Sequence, residues 1–253
     1  MKLADKVAII TGGGRGIGKA YALAFAAEGA RVVIADIIFE NAQKVAEEIK
    51  SKGGTALPLL TDVSSEASTR EMAKKTVEAF GKIDILLNNA AVFYGLEIKS
   101  WDDRTTEEWA KMFAVNVTGC WLCAKAVVPH MISGGKGKII NISSTTADTG
   151  MYHIIHYACS KGAVMTLTKC LAKALGKQNI NVNSIAPGYT IDEATLLALG
   201  GKEEAADRSI QGRTIRRREY PADLVGTAVY LASADSDFVT GQIITVDGGE
   251  VMR

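Results

Sequence analysis

The chain has 253 residues, of which 47% are hydrophobic, so it is long enough for one well-filled α/β domain and short for two. Its 29 Lys and Arg against 28 Asp and Glu residues leave a formal net charge of +1, which excludes a general attraction to nucleic acid or anionic membranes. No run approaches ~18 apolar residues and no apolar leader opens the chain, which predicts a cytoplasmic protein with small-molecule partners.

Short β-rich runs alternate with amphipathic helical patterns along the chain. Seven strands are predicted, at Val7 to Ile10, Arg31 to Ala35, Ala56 to Thr61, Ile83 to Asn88, Lys138 to Ile142, Asn181 to Ala186 and Ile243 to Val246. Helices are predicted at Gly18 to Glu28, Asn41 to Lys50, Glu66 to Phe80, Glu107 to Met131, Ala158 to Leu175 and Pro221 to Ala232. This order predicts a Rossmann-like, doubly wound parallel sheet of about seven strands with helices on both faces, which binds ligands at the carboxyl ends of its strands.

The pattern predicts a single domain over residues 1–253, because no internal repeat, low-complexity tract or linker composition interrupts it. One weakly patterned insertion, at about 190–218, separates a strand from the last long helix, and we expect it to be a substrate loop that closes as a lid. Cys120 and Cys123 have the spacing of half a zinc site, but no second pair completes it. Core packing by reduced thiols, with no metal, is the prediction.

A glycine-rich loop follows the first predicted strand and opens into a helix. It reads Thr11-Gly12-Gly13-Gly14-Arg15-Gly16-Ile17-Gly18. Glycine permits positive φ and carries no Cβ, so the backbone can approach a ligand closely, and the helix N-terminus offers free N–H groups to a pyrophosphate. A phosphotransferase loop is disfavoured because Ala20 stands where Ser or Thr would bind Mg²⁺. The alternative is a plain glycine-rich turn.

Two aspartates end the next two predicted strands. Asp36 comes about 20 residues after the glycines, where an acid meets the ribose 2′-hydroxyl of a dinucleotide and repels a 2′-phosphate. This favours NAD over NADP, although Arg15 offers a cation that partly counters the carboxylate. Asp62, before Val63, can accept a hydrogen bond from the adenine amine. A strand-end cap for Asp36 and a helix cap for Asp62 are the alternatives.

Tyr157 and Lys161 stand four residues apart at the opening of a predicted helix. Residues at this spacing are neighbours on one helix face, so the ammonium can favour the deprotonated phenol. Lowering a Tyr pKa from ~10 to ~7 takes roughly 4 kcal/mol. One cation at ~4 Å supplies about that much at an effective dielectric of ~20. The pair predicts a proton-transferring Tyr, and an exposed pair that only packs is the alternative.

With these residues in place, the chain resembles the short-chain dehydrogenase/reductase family over essentially its whole length. Thr11 to Gly18 looks like the family's T-G-x-x-x-G-x-G loop, Asn88 to Ala91 like its N-N-A-G segment with Ala in the last position, and Tyr157 with Lys161 like its Y-x-x-x-K pair. Asn116 looks like the family's helix-bending Asn, Ser144 like its substrate-orienting Ser, Pro187 with Gly188 like the turn after the sixth strand, and Val246 to Gly249 like its C-terminal signature.

The resemblance implies two sets of site residues. The catalytic set is Asn116, Ser144, Tyr157 and Lys161. The cofactor-binding set is Gly12, Arg15, Gly16, Ile17, Gly18, Asp36, Asp62, Val63, Asn89, Ala90, Tyr157, Lys161, Pro187, Gly188 and Thr190. The backbone of Gly188 to Thr190 would form the nicotinamide edge, although Thr190 comes earlier than the Thr of the family's pattern. Ser143 is a rival to Ser144.

The implied function is that of an NAD-dependent oxidoreductase, which moves a hydride between a secondary alcohol or ketone and nicotinamide. A 3-oxoacyl-thioester reductase that acts on an acyl-carrier-protein or CoA substrate with NADPH shares every motif and is the first alternative. A non-catalytic NAD-binding sensor or scaffold is the second. The family also implies a homotetramer built through the helices Glu107 to Met131 and Ala158 to Leu175 and the C-terminal tail.

The remaining candidates concern substrate. The pocket is predicted to contain mostly apolar side chains, which favours a moderately hydrophobic substrate: Phe93, Tyr94, Thr145, Thr146, Met151 to Ile154 and the insertion after Tyr189. His153 is a candidate for a second proton-handling role, with a satisfied loop histidine as the alternative. The run Arg213 to Arg218 could hold an acidic or CoA-like substrate, with a solvated surface or an inter-subunit salt-bridge patch as the alternative.

Overall fold

The computed structural model describes residues 1–198, 207 and 210–252. Seven strands are formed: β1 (Val7–Thr11), β2 (Arg31–Asp36), β3 (Thr55–Leu60), β4 (Ile85–Asn88), β5 (Gly137–Ile142), β6 (Ile180–Pro187) and β7 (Ile243–Val246). The helices of the described part of the chain are α1 (Gly16–Ala27), α2 (Phe39–Ser51), α3 (Glu66–Phe80), α4 (Thr106–Phe113), α5 (Gly119–Ser133), α6 (Thr146–Thr149), α7 (Ile155–Leu175), α8 (Glu193–Ala198) and α9 (Pro221–Ala232).

All seven strands lie in one parallel sheet in the order β3-β2-β1-β4-β5-β6-β7. The predicted fold class and the predicted number of strands are therefore confirmed. The strand order reverses between β1 and β4, so the loops that follow these two strands leave in opposite directions and open a cleft. This cleft lies at the carboxyl ends of the strands.

Two apolar cores cover the two faces of the sheet. Successive strand residues point to opposite faces, and accordingly Ile10 and Ile34 lie in one core while Ile9 and Val33 lie in the other. The first core is closed by α1, α2 and α9, and the second by α3, α5 and α7. The near-continuous apolar strands follow from this double coverage, because both of their faces are removed from water.

Two helices begin and end where the sequence predicts, α3 and α9, because their ends carry strong local signals. The Ser65 hydroxyl accepts a hydrogen bond from the Ser68 backbone at the start of α3, and Gly81 ends that helix with φ +80°. Pro221 opens α9 at its first position, where its missing N–H costs nothing.

The predicted helix Glu107 to Met131 is instead α4, a π-helical turn at Ala114–Thr118, and α5. The whole stretch Thr106–Ser133 has the length and mean hydropathy, 1.4 over 18 residues, of a membrane span. Its apolar side chains Leu122, Cys123 and Val127 are nevertheless buried in the protein core. By length and composition, a buried core helix resembles a spanning helix.

The predicted insertion at 190–218 begins with the two-turn helix α8. Residues 199–206, 208 and 209 lie outside the described residues, and so does that part of the predicted substrate loop. Its two described ends meet, because Thr190 and Glu219 form an isolated parallel β-bridge. The single-domain assignment stays a prediction.

Candidate active site

Four strand ends surround the cleft, and each contributes a segment of the predicted site. The glycine loop follows β1, and Asn89 and Ala90 follow β4. Ser144 follows β5, and Gly188 follows β6 after its last residue, Pro187. Helix α7 carries Tyr157 and Lys161, both of which are buried. Most of the predicted site residues are therefore gathered at one edge of the sheet.

The glycine loop is held tightly against the segment after β4. The Asn89 amide donates to the carbonyl oxygens of Thr11 and Gly12 at 3.1 and 3.0 Å. The Thr11 hydroxyl accepts from the backbone N–H groups of Asn89 and Ala90 at 3.0 and 3.1 Å. Gly12 has φ +61°, and a Cβ there would lie 2.8 Å from the Ala90 Cα. Glycine is required at this position by both conformation and space.

The N-terminus of α1 suits an anion. Arg15 precedes the helix without a capping side-chain hydrogen bond, and the first turn contains no acidic residue. The dipole of the helix and its free N–H groups therefore stay available at Gly16, Ile17 and Gly18. A Cβ at Gly18 would overlap the Gly12 carbonyl, so the loop can pack this closely only with glycine. These residues fit the pyrophosphate of a dinucleotide.

Asp36 connects the glycine loop to the start of α2. Its carboxylate accepts hydrogen bonds from the backbone N–H groups of Gly14 at 2.9 Å and Ile38 at 3.0 Å. The side chain thus caps the end of β2, which is the alternative that the sequence left open. It also lies beside the glycine loop, where a ribose would bind.

Asp62 and Val63 follow β3. The Asp62 carboxylate accepts from the backbone N–H and the hydroxyl of Ser64 at 2.9 and 2.6 Å. The cap of α3 is Ser65, so the helix-cap alternative for Asp62 is wrong. Val63 is buried in the second core.

Arg15 contacts the loop after β4. Its guanidinium lies 4.6 Å from the centroid of the Tyr94 ring, and the Tyr94 hydroxyl donates to the Asp192 carboxylate at 2.5 Å. A Cβ at Gly16, which has φ +56°, would overlap both the Tyr94 hydroxyl and the Asp192 carboxylate. Three segments therefore meet over the start of α1: the glycine loop, the loop after β4 and the loop after β6.

A surface cavity of about 260 Å³ opens beside the glycine loop, between α2 and α8. Three cationic side chains line it, those of Arg15, Lys19 and Lys44, together with the carboxylates of Glu48 and Glu193. Lys19 pairs with Glu48 at 3.0 Å. Gly14, the partner of Asp36, also lines the cavity, so positive charge lies close to the position expected for a ribose.

Tyr157 and Lys161 lie on one face of α7 as predicted. Tyr157 is 7% exposed, and its ring centroid is 5.1 Å from that of Phe93. The Lys161 ammonium lies 5.5 Å from the centroid of the Tyr157 ring and donates to the Ile142 carbonyl at 2.7 Å. The proton-transferring pair is therefore buried between α7, β5 and the loop after β4.

Burial dominates the ionisation of this pair. It raises the pKa of Tyr157, against the opposing effect of the Ser144 hydroxyl, and it lowers the pKa of Lys161 to about 8. The expectation that Lys161 holds the pKa of Tyr157 near neutrality is not met here, because removal from water disfavours the charged form of both groups.

The two neighbouring serines have different partners. The Ser143 hydroxyl donates to the Ile185 carbonyl at 3.1 Å and accepts from the Ser184 hydroxyl at 2.8 Å, so it connects β5 to β6. The Ser144 hydroxyl accepts only from the Thr146 backbone, at 3.2 Å, in the described hydrogen bonds and adjoins Tyr157. This geometry favours Ser144 over its rival.

Asn116 lies inside the π-helical turn between α4 and α5 and is buried. Its carbonyl oxygen accepts from the Val92 backbone at 2.8 Å, and its amide donates to the Ser160 hydroxyl at 3.1 Å. The Cys120 thiol donates to the Asn116 backbone oxygen at 3.2 Å. Asn116 therefore joins the bend of the helix to the loop after β4 and to α7, beside Lys161.

The segment after β6 differs in detail from the expectation. Gly188 donates its N–H to the Val246 carbonyl at 3.1 Å, which fixes the start of the predicted nicotinamide edge. The Thr190 hydroxyl donates to the Glu219 carboxylate at 2.7 Å, so this side chain is already engaged with a protein group. The backbone of this segment remains the part that can face a cofactor.

The other candidates have ordinary partners. The His153 ring contacts the Tyr152 ring at a tilt of 38°, with centroids 3.9 Å apart. His156 is buried, and burial lowers its pKa. Cys120 and Cys123 are free and buried, which raises both thiol pKa values. In residues 1–198, 207 and 210–252, no group of three or more His, Cys, Asp or Glu side chains could hold a metal ion.

Two residues of this region, Asp192 and Glu219, were not predicted from the sequence, and only Asp192 left a local signal. Asp192 caps α8 by accepting from the Thr195 N–H at 2.8 Å, and the spacing Asp-x-x-Thr before a short helix indicates such a cap. Its bond to Tyr94 joins residues 98 positions apart and leaves no such signal. Arg213, the first residue of the Arg213 to Arg218 run, forms a buried ion pair with Glu219 at 3.3 Å, so the alternative of a solvated surface is wrong for this residue.

Comparison with known proteins identifies the family to which the chain belongs. The family model described as enoyl-(acyl carrier protein) reductase matches residues 12–250. A galactitol 2-dehydrogenase from Agrobacterium fabrum is 40% identical over 264 residues, which cover 100% of both chains. A 3-oxoacyl-[acyl-carrier-protein] reductase from Thermotoga maritima is 35% identical over 252 residues, again covering 100% of both.

Comparison with solved structures identifies the same family. A crystal structure from Sinorhizobium meliloti, assigned as a short-chain alcohol dehydrogenase, matches with a TM-score of 0.91 at 30% identity, covering 98% of this chain and 97% of that one. The chain therefore belongs to the short-chain dehydrogenase/reductase family of oxidoreductases, whose members use nicotinamide cofactors.

Proposed function

We propose that the protein is an NAD-dependent oxidoreductase that transfers a hydride between a secondary alcohol or ketone and nicotinamide. The observation that carries this proposal is the convergence of Ser144, Tyr157 and Lys161, buried side by side at the strand ends, with an uncapped helix N-terminus across the cleft. When bound, the nicotinamide cofactor supplies or accepts the hydride, and the protein supplies orientation and proton transfer.

Each catalytic side chain has one task in this proposal. The Tyr157 phenol exchanges the proton with the substrate oxygen, and the Lys161 ammonium stabilises the tyrosinate and binds the nicotinamide ribose. Ser144 holds the substrate oxygen within the ~2.6–3.2 Å that proton transfer requires. Asn116 fixes the helix bend beside Lys161 and positions a water that connects the ammonium to solvent.

Replacement of Tyr157 by Phe tests the assignment. We expect turnover to fall below detection while NADH binding, measured by calorimetry, stays within about twofold of wild type, because the ring and its packing on Phe93 remain. Tyr230→Phe, on α9 and outside the predicted pocket, is the matched control and should keep full activity. Full activity of the Tyr157→Phe variant would contradict the assignment.

The substrate is best found by a screen with NAD⁺ and NADP⁺ across alcohols, polyols and hydroxyacyl compounds. We propose a moderately hydrophobic substrate, since Phe93 packs against Tyr157 and Tyr94 packs on Phe93 with centroids 5.6 Å apart. Activity confined to free sugars would contradict this. Confirmed cofactor binding without turnover of any substrate in the panel would support the sensor or scaffold alternative instead.

A 3-oxoacyl-thioester reductase with NADPH is the second candidate. Two observations favour it: the relative of that name from Thermotoga maritima, and the cationic cavity of Arg15, Lys19 and Lys44 beside the glycine loop. Asp36 opposes it, because its carboxylate repels a 2′-phosphate. NADPH-dependent reduction of an acetoacetyl thioester at a rate above that with simple ketones would establish this candidate.

We further propose that the protein is a cytoplasmic homotetramer. All four cysteines are free, which fits a reducing compartment. The helices expected to form the subunit contacts, α4, α5 and α7, carry an exposed face that includes Trp121 and Cys170.

A further inference from the structure

One buried ion pair has no role in the proposed proton transfer. The side chains of Arg213 and Glu219 are only 1% and 5% exposed, and their charged groups are 3.3 Å apart. Arg213 lies near the end of the substrate-loop insertion, and Glu219 follows the insertion directly and precedes α9. Their burial distinguishes them from Arg217, whose ion pair with Asp223 lies at the surface.

The pair contacts the three residues that follow Gly188. Arg213 donates to the Tyr189 carbonyl at 3.0 Å, and Thr190 donates its hydroxyl to the Glu219 carboxylate at 2.7 Å. The Ile191 N–H donates to the Glu219 backbone carbonyl at 2.8 Å. Three consecutive residues are thus fixed from one side by Arg213 and Glu219.

Gly188 itself lies directly against the pair. A Cβ at this position would be 2.7 Å from the Glu219 carboxylate and 3.1 Å from the Arg213 guanidinium. The two charged groups therefore leave no free space behind the Gly188 backbone. Because the Gly188 N–H is also bonded to the Val246 carbonyl of β7, this backbone cannot shift without breaking one of these contacts.

The cost of burying the two charges largely cancels the stabilisation that the ion pair gives to the fold. Removing two charges from water costs several kcal/mol, and apolar residues of similar volume often serve the fold equally well. The Arg213 Nε is buried without a hydrogen bond and lies 3.8 Å from the Glu250 carboxylate, so the desolvation of the guanidinium is only partly offset. Burial also raises the pKa of Glu219 to about 7. These features indicate a role in geometry rather than in stability.

We propose that Arg213 and Glu219 are positioning residues that hold the Gly188–Thr190 backbone in the position where it binds the nicotinamide end of the cofactor. This inference rests on the proposed function, in which that backbone is the nicotinamide edge. The adenosine and pyrophosphate contacts lie at Asp36 and the glycine loop, on other elements. The pair therefore acts on one half of the dinucleotide.

Comparison of NADH with ADP-ribose, which lacks the nicotinamide, tests this separation. Calorimetry on the full chain would measure both dissociation constants for wild type, Glu219→Leu, Glu219→Gln and the double variant R213M/E219L. In Glu219→Leu and in the double variant we expect the NADH constant to rise about tenfold and the ADP-ribose constant to change less than about twofold. Glu219→Gln keeps an acceptor for Thr190 and should restore NADH binding to near wild type.

Arg70→Met is the matched control, since it removes an exposed arginine and its ion pair with Glu66 on α3, and it should alter neither constant. If wild type binds neither ligand, the proposed function fails and this inference with it. If wild type binds both and the Glu219→Leu and double variants change both constants equally or not at all, only this inference is overturned. The double variant replaces both charges with apolar volume, and the Glu250 carboxylate that Arg213 also approaches is 29% exposed, so a folding defect from an unpaired, fully buried charge does not obscure the result.

Discussion

The protonation states of Tyr157 and Lys161 depend on the burial of each side chain more than on the interaction between the two. Burial keeps the phenol protonated and brings the pKa of the ammonium down to about 8, so near neutral pH the pair is a neutral acid beside a cation. In this state the phenol can donate a proton to a carbonyl oxygen, and the cation can stabilise the tyrosinate that remains. The residue types were evident from the sequence, whereas their ionisation depends on burial.

Gly16 gives a residue-scale prediction. Gly16→Ala should lower the free energy of unfolding by about 1–3 kcal/mol and weaken NADH binding, because the new Cβ meets both a positive φ and the Tyr94 and Asp192 oxygens. Gly53 is the matched control, since it also has positive φ but nothing lies within 4 Å of its Cβ position. Chemical denaturation of both variants measures the difference, and equal losses would show that the contact with Tyr94 and Asp192 has no energetic weight.

Asp36 gives a second prediction at this scale. Asp36→Ala should weaken NAD binding and admit NADP, because the carboxylate that excludes a 2′-phosphate is gone and Lys19 and Lys44 remain nearby. Titration of both cofactors by NAD(P)H fluorescence would measure the change in preference. Glu28→Ala, which removes a carboxylate far from the cavity, should leave the preference unaltered. A wild type that already prefers NADPH would show that the cationic cavity outweighs Asp36.

At the scale of elements, the interrupted helix from α4 to α5 shows a limit of periodicity. Its apolar pattern predicts one continuous helix, but the turn around Asn116 is π-helical. The Asn116 side chain there bonds Val92 and Ser160, which belong to segments distant in sequence. π-Helical turns of this kind are common at functional sites. The family resemblance predicted a bend at Asn116. Its hydrogen bonds to Val92 and Ser160, which form only in the packed structure, explain why the helix bends there.

The segment between β6 and α9 gives the element-scale prediction, which concerns pH. The pKa of Glu219 is raised from 4.5 to about 7 by burial, so the folded state holds this proton more tightly than the unfolded state. The stability that the protonated Glu219 contributes is fully present below pH 4.5 and is lost as pH rises through 7. A pKa shift of this size corresponds to roughly 3 kcal/mol in the free energy of unfolding.

Glu219→Gln removes this titration. We expect its free energy of unfolding, measured by urea denaturation between pH 4.5 and 7.5, to fall less with rising pH than that of wild type. Lys161 does not mask the effect, because its lowered pKa of about 8 changes stability mainly above the tested range. Parallel pH profiles of the two proteins would contradict the prediction.

The whole molecule is organised by the reversal of strand order between β1 and β4. The reversal opens the cleft, and parallel strands bring their carboxyl ends to the same edge. Residues from the glycine loop to Gly188, far apart along the chain, therefore become neighbours without any long excursion of the backbone. This topology follows from the alternation of strands and helices, which is why the fold class was predictable.

Assembly is the prediction at this scale. Light scattering should give four times the 26.9 kDa chain mass. Trp121→Asp on α5, where the indole is 43% exposed, should shift the protein to smaller species by adding a buried charge to the contact. Ile98→Asp, in the loop before α4, is the exposed apolar control and should leave the tetramer intact. A monomeric wild type would contradict the proposal.

The sequence by itself determined what depends on local order: the strands and helices, the glycine loop, the aspartates at strand ends and the spacing of Tyr157 and Lys161. Periodicity, capping residues and glycine each act over a few positions, so they can be read along the chain. The tertiary structure alone decided which serine faces Tyr157, that Arg15 contacts Tyr94, and that Arg213 and Glu219 are buried behind Gly188. These contacts join distant residues, and removal from water, which sets their ionisation, exists only once the chain has packed.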